Sequence, residues 1–256
     1  LDAATQARLG TWQHIPPTRQ VIIPEDFAAG PFISNFPEDA AAQARLPALG
    51  YRSLMEALAE RFHTTADTLI ALNSPSTKIG AGRAIRVPNV PNATIGQIGE
   101  DARGWGDTLR RLGISSAQPR AAEVVVDKSD GTLRVFDEQE KLIAQFPATM
   151  GSERDPLPLG SWEVKGVSRN PDFHYNPKLF WDVSDNKEAQ VLKPGPNSPV
   201  GVVWIDLSKP HYGIHGTSEP EQIGRAESHG CVRLTNWDAA RLAQMVKPGT
   251  PARFQE

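Results

Sequence analysis

Val124-Val125-Val126, followed by Asp130-Gly131 and Thr132-Leu133-Arg134-Val135-Phe136, decides how the second half of this chain is read. Two runs rich in β-branched residues flank a pair of turn formers, the pattern of a hairpin with a tight turn. Further strand-like runs follow at 142–146, 162–167, 200–205 and 213–215. Only 238–246 has helical spacing, with Ala239, Leu242 and Met245 on one face and Lys247-Pro248-Gly249 stopping it. Many short strands and one helix predict a mostly β domain over 122–256, sandwich or barrel-like, able to fold alone.

Upstream the composition changes. Residues 91–121 hold one predicted helix, 98–112, between Gly- and Pro-containing breaks, and read as a linker. Residues 46–90 read as a small α+β module. Ser53 caps a helix carrying Leu54, Leu58 and Phe62, and a second helix after Thr65 carries Leu69 and Leu72. Ile79-Gly80-Ala81-Gly82 then turns into a strand over 83–87, ended by Pro88. Between residues 14 and 45, Pro16-Pro17, Pro24, Pro31 and Pro37 prevent long helices and predict an extended, surface-hugging arm. Residues 1–13 read as the end of a helix, completing a 1–45 segment.

The 256 residues carry a net charge of −3, which excludes the clustered cations that sequence-independent nucleic-acid binding needs. No apolar run approaches a membrane span. The first residues, Leu1-Asp2-Ala3-Ala4-Thr5, lack the basic-then-apolar order of a signal peptide, so the chain reads as a mature or trimmed form. No cofactor is expected. The single cysteine excludes an intrachain disulfide. Free cysteine is commonly a small buried hydrophobe, but here the neighbours argue otherwise.

Ser228-His229-Gly230-Cys231-Val232-Arg233 concentrates reactive groups in six residues. A thiolate is the nucleophile, so a useful Cys needs a proton acceptor or a positive neighbour. On an extended segment His229, Cys231 and Arg233 share a face. Gly230 permits close approach and leaves nearby N–H groups for an oxyanion. A second histidine, His215, lies sixteen residues before Cys231 at the end of a predicted strand. The same three groups, Cys231, His229 and His215, could make a catalytic zinc set. Ligands at i and i+2 suit chelation poorly, however, and no further Cys or obvious carboxylate adjoins them, so no metal is expected. His211 and Tyr212 read as strand residues with structural roles, and Tyr212 is also a candidate groove wall. Trp162, Trp181, Trp204 and Trp237 read as core or groove wall, and His14 and His63 as surface. The strand-poor segment 168–199, with His174 and Tyr175, is a candidate lid.

Residues 123–254 resemble the L,D-transpeptidase (YkuD) catalytic domain. The resemblance rests on His215, a spacer and Ser228-His229-Gly230-Cys231, with Gly195-Pro196-Asn197-Ser198-Pro199-Val200-Gly201, Ile223-Gly224 and Val232-Arg233-Leu234-Thr235-Asn236 as context. It implies that Cys231 attacks the bond between the diamino acid of a peptidoglycan stem and D-Ala, forming a thioester. An acceptor amine then resolves it into a 3→3 crosslink. His215 would be the base, oriented by the carbonyl of Gly216, with His229 and the amides of Gly230 and Cys231 around the oxyanion. Arg233 would bind a substrate carboxylate or brace the loop; Tyr212 and Ser228 are further candidates for substrate contact. Stem peptides are the implied partners, with a wall-anchored lipoprotein as an alternative acceptor and hydrolysis as an alternative outcome. Residues 46–90 are similar to a LysM module, a glycan binder, at Asn73 and Gly82-Arg83-Ala84-Ile85-Arg86-Val87-Pro88, though Leu49-Gly50-Tyr51-Arg52 replaces its usual first strand. Leu1–Leu9 is similar to the last helix of a helical peptidoglycan-binding domain. Together these imply a periplasmic or wall-associated protein.

Overall fold

A computed structural model describes the chain except residues 97, 99–101, 178–187, 226, 227 and 229. The first helix, α1 (Ala3–Gly10), is capped by the Asp2 carboxylate and buries none of its side chains. The Pro-rich stretch after it is not simply an extended arm. It contains a strand, β1 (Thr18–Ile22), and two single-turn helices, α2 (Glu25–Ala28) and α3 (Ala40–Gln43). Its prolines flank these elements, where a missing N–H removes no ladder or helix bond.

Ser53 and Thr65 each accept a backbone N–H at the starts of α4 (Leu54–Arg61) and α5 (Ala66–Asn73). The chain then enters β2 (Ala84–Pro88), which pairs antiparallel with β1, Thr18 facing Pro88 and Ile22 facing Ala84. The module is therefore a β–α–α–β unit whose first strand comes from the arm, about thirty residues before α4. Ile23, Leu58, Ala59, Phe62, Leu69, Ile85 and Val87 form its core. Asn73 ties the unit together. Its amide donates to Leu69 O and Arg86 O, and its Oδ1 accepts from Arg86 N at 2.7 Å.

The helix expected over 98–112 begins only at Trp105, as α6 (Trp105–Leu112), because Arg103 and Gly104 take left-handed φ values of 68° and 70°. It is built into the larger core rather than serving as a spacer: Trp105, Leu109, Leu112 and Ile114 pack within the β domain's cluster.

That domain runs through β3 (Glu123–Asp127), β4 (Thr132–Phe136), β5 (Leu142–Pro147), β6 (Thr149–Met150), β7 (Gly160–Arg169), β8 (Phe173–Tyr175) and β9 (Gln190–Leu192). It continues through β10 (Val203–Leu207), β11 (Gly213–His215), β12 (Val232–Arg233), α7 (Asn236–Met245) and β13 (Pro251–Gln255). Among the described residues nine strands form one sheet in the order β5-β4-β3-β13-β7-β10-β11-β12-β6, while β8 and β9 pair separately. The end strands, β5 and β6, are separated in sequence by Ala148 alone, so the sheet must curl until its edges nearly meet. The result is a nearly closed barrel-like sheet. Val124, Val126, Leu133, Val135 and Phe146 fill it together with Ala239, Leu242 and Ala243 of α7.

Candidate active site

The reactive residues sit where β11 and β12 run parallel, Ile214 facing Val232 and His215 facing Arg233. Ile214 and Val232 are buried in the core, so the alternation of a strand sends Gly213, His215, Cys231 and Arg233 to the opposite face. A histidine at the end of one strand and a cysteine just before its neighbour thus share one surface. Backbone bonds hold the strand end rigidly: Leu234 N donates to His215 O at 2.8 Å, and Gly216 N donates to Val203 O at 3.2 Å.

His215 is buried, and its Nδ1 lies 2.6 Å from the carbonyl oxygen of Gly216. A carbonyl only accepts, so Nδ1 carries the proton and Nε2 keeps its lone pair. The ring stacks on Trp204 of β10, centroids 5.4 Å apart and planes 19° apart, which restricts its rotation. Burial pulls the imidazole down to about 4, helped by the charge of Arg233, although the bond to Gly216 opposes this. Burial pushes the Cys231 thiol up, while a backbone hydrogen bond at Gly213 and the charge of Arg233 pull the other way. Burial thus favours the uncharged form of each group, a thiol and a neutral imidazole. Such a pair can move the proton to Nε2 as the sulfur attacks.

The loop leading to Cys231 is held by Ser228. Its hydroxyl donates to Cys231 O at 2.6 Å and accepts from Gly151 N at 2.6 Å. Ser228 is thus a buried brace of the loop rather than a residue presented to substrate. Gly230 has φ of 91°, and a Cβ there would lie 2.7 Å from the Tyr212 ring. Tyr212 therefore walls the loop from outside. It and His211 precede β11 rather than belonging to it, and His211 takes a left-handed φ of 68°. The Cys231 sulfur lies 3.9 Å from His211 O. Arg233 shares its face with His215 and Cys231. His229, expected beside the oxyanion, lies outside the described residues.

A groove of about 1200 Å³ opens on the Trp204 side, walled by Trp105, Val167, Arg169, Phe173, His174 and Trp204. Cys231 does not line it. The candidate lid partly falls in β8 and β9; its residues 178–187, Trp181 included, lie outside the described residues. Trp237 and His63, expected to be core wall and surface respectively, stack on each other at 5.2 Å between the module and α7. His63 is not a free surface residue: its Nε2 lies 2.8 Å from Leu112 O. Among the described residues no three His, Cys, Asp or Glu side chains converge as a metal site.

Two side chains close to the site had no role assigned from sequence. Asn236, the first residue of α7, is fully buried against Gly201 and Gly216. Glu60, on α4 of the module, reaches it with a 2.8 Å hydrogen bond. An Asn beginning a helix and a Glu in an amphipathic helix are ordinary in sequence. Only the packing of two distant segments marks them.

Residues 121–253 match the family model of the L,D-transpeptidase catalytic domain, YkuD. The YkuD protein of Bacillus licheniformis is 28% identical over 198 residues, covering 77% of this chain and 90% of that protein. The YkuD protein of Bacillus subtilis is 53% identical over 55 residues, 22% of this chain and 34% of that protein. Among solved structures, the L,D-transpeptidase from Mycobacterium smegmatis is similar at TM-score 0.43 and 22% identity, over 53% of this chain and 59% of that one.

Proposed function

We propose that this chain, which belongs to the L,D-transpeptidase (YkuD) catalytic-domain family, is a cysteine acyltransferase that joins peptidoglycan stems through 3→3 crosslinks. The observation that carries the reading is the fixed tautomer of His215, with Nδ1–H bound to Gly216 O and Nε2 left free on the face it shares with Cys231. In the first step the sulfur attacks the carbonyl of the stem's diamino acid as Nε2 takes the thiol proton. The proton then passes to the departing D-Ala nitrogen, leaving a thioester. In the second step an acceptor amine attacks the thioester, Nε2 takes the amine's proton, and the thiolate leaves and is reprotonated. The backbone carbonyl of Gly216 does the orienting work that a carboxylate does in a Ser-His-Asp triad.

Arg233, whose charge is felt at both His215 and Cys231, is assigned to a substrate carboxylate. The β–α–α–β module is assigned a LysM-like role in holding glycan strands; the Asn73 staple between its second helix and second strand supports that reading. Acting on wall peptides places the site in the periplasm or wall. No helix among the described residues is long and apolar enough to cross a membrane. Incubation with a defined disaccharide-tetrapeptide and mass spectrometry of the products tests the whole reading. A crosslinked dimer with loss of D-Ala is expected, and Cys231→Ser should give none. Tripeptide alone would replace transfer by hydrolysis, and unchanged substrate would overturn the assignment.

A further inference from the structure

The contact between module and β domain contains a buried polar chain that runs to the catalytic histidine. It begins at Tyr51, whose hydroxyl lies 2.9 Å from Glu60 Oε2. Glu60 Oε1 accepts from Asn236 Nδ2 at 2.8 Å, and the same amide donates to Pro196 O at 3.1 Å. Asn236 Oδ1 in turn accepts from Val202 N at 3.2 Å. All three side chains are nearly or wholly buried. Asn236 Oδ1 packs so tightly on Gly201 and Gly216 that a Cβ on either would collide with it. Gly216 is the residue whose carbonyl holds Nδ1 of His215.

We propose that Glu60 and Asn236 are positioning residues for His215: a carboxyl carried by the N-terminal module and the first residue of α7 together fix the Gly216 peptide that holds the imidazole in its working tautomer. The proposal rests on His215 being the base, as argued above. Asn236 must satisfy Val202 N with its oxygen while its nitrogen finds two acceptors, Pro196 O and Glu60. Without Glu60 one of its donors is left unpaired in the interior, and the amide is free to turn. A turned amide withdraws the oxygen wedged between Gly201 and Gly216, and the strand end can then relax.

The charges around Glu60 fit a neutral carboxyl that serves by hydrogen bonding. Burial pushes it up to about 8, and the neighbouring Glu56 and Glu221 push the same way; its bonds to Asn236 and Tyr51 only partly oppose this. Burial and Glu60 also raise Tyr51, with Arg111 of α6 acting in the opposite direction. Gln is therefore the faithful substitute for Glu60, since it keeps an acceptor for Asn236 and offers a donor to Tyr51. Leu keeps the volume and removes both bonds.

The test compares Glu60→Gln, Glu60→Leu and Cys231→Ser with the unchanged full chain, each confirmed as folded by circular dichroism. Stopped-flow acylation by a carbapenem, resolved into maximal rate and apparent affinity, is followed by proton NMR of the His215 Nδ1–H resonance. Glu60→Leu should lower the maximal rate by about 10- to 100-fold, the scale of a mispositioned catalytic group, with little change in affinity, and should shift or broaden the resonance. Glu60→Gln should match the unchanged chain in both. A folded Glu60→Leu with an unaltered maximal rate and resonance overturns the proposal. So does a loss confined to affinity. If Glu60→Leu does not fold, Glu60→Gln decides, because a role requiring the ionised carboxylate would cost it the same rate loss. Failure of the unchanged chain to acylate at Cys231 would instead overturn the functional reading on which the proposal rests.

Discussion

The β domain and the N-terminal module place their buried polar groups in opposite ways. In the β domain His215 and Cys231 share the face of β11 and β12. In the module Glu60 and His63 turn toward the β domain, bonding Asn236 and Leu112, with Tyr51 bonded to Glu60 behind them. Core size explains the contrast. The module's cluster has seven buried apolar residues, too few to stabilise an independent domain. Among the described residues the β domain's cluster has 29, a far larger core. The small unit must lean on the large one, and it leans through polar groups that reach α7 and the strand end holding His215. Leu49 extends the same contact, donating to Pro194 O and accepting from Asn197 N, each at 3.0 Å.

The largest expected effect breaks the catalytic side of this comparison. His215→Ala should slow acylation by roughly 100- to 10,000-fold, the range for a lost general base, as measured by stopped flow with a carbapenem. Raising the pH should restore part of the rate, since hydroxide then takes the thiol proton. His229→Ala should cost less. A larger defect and the pH rescue in His229→Ala would reverse the two roles. In the unchanged chain the acid limb of the rate profile should fall well below the ordinary histidine value, because burial holds His215 near 4.

A smaller effect sharpens where one region ends and the other begins. Sequence composition put the start of the β domain near Ala122, yet Trp105, Leu109, Leu112 and Ile114 lie in its core. Leu109, with no exposed surface, should cost about 2–5 kcal/mol when cut to Ala. A chain begun at residue 122 loses all four and should melt far lower than one begun at 91, as followed by thermal circular dichroism. Equal melting temperatures would make α6 an ornament on the sheet.

Why some of this was legible and some not follows from where each signal resides. The β3–β4 hairpin is written locally, in alternating residues around Asp130-Gly131, and it forms with Asp127 opposite Thr132. The helix after Asn236 is equally local, capped by the Thr235 hydroxyl on Asp238 N. His215 and Cys231 stood out by residue type and spacing. By contrast β1 is five residues between prolines, and its partner β2 lies more than sixty residues on, so no local pattern announces it. β13 starts at Pro251 and was not anticipated, because its pairing with β3 joins the two ends of the domain. Ser228 carried a misleading signal. It reads as a candidate for substrate contact, whereas its hydroxyl bonds to Gly151 and Cys231. Glu60 carried no signal and Asn236 only its place in the motif's context, since their meaning depends on a contact across 176 positions.

The smallest expected effect tests the leaning contact through His63. Its ring is stacked on Trp237 with an interplanar angle of 6°, and its Nε2 donates to Leu112 O. A protonated imidazole would be attracted to the indole face, yet burial outweighs this, and Arg61 and Arg241 add repulsion. The group is drawn down to about 4, against only the Leu112 bond. The folded chain therefore holds fewer protons at this site than the unfolded chain between about 4 and 6.5. Stability must fall as pH drops through that window, and it is fully present above it. His215 titrates in the same window and adds to the fall. His63→Gln keeps a donor for Leu112 O but cannot titrate. Its denaturation free energy should be lower than that of the unchanged chain at pH 7, because the stack is lost. Its further decline between pH 7 and pH 4.5 should be smaller, by about 1–3 kcal/mol. Parallel declines in the two proteins would mean that the imidazole gains its proton without leaving the contact, and the boundary of the module would then be more open to water than its packing against Trp237 implies.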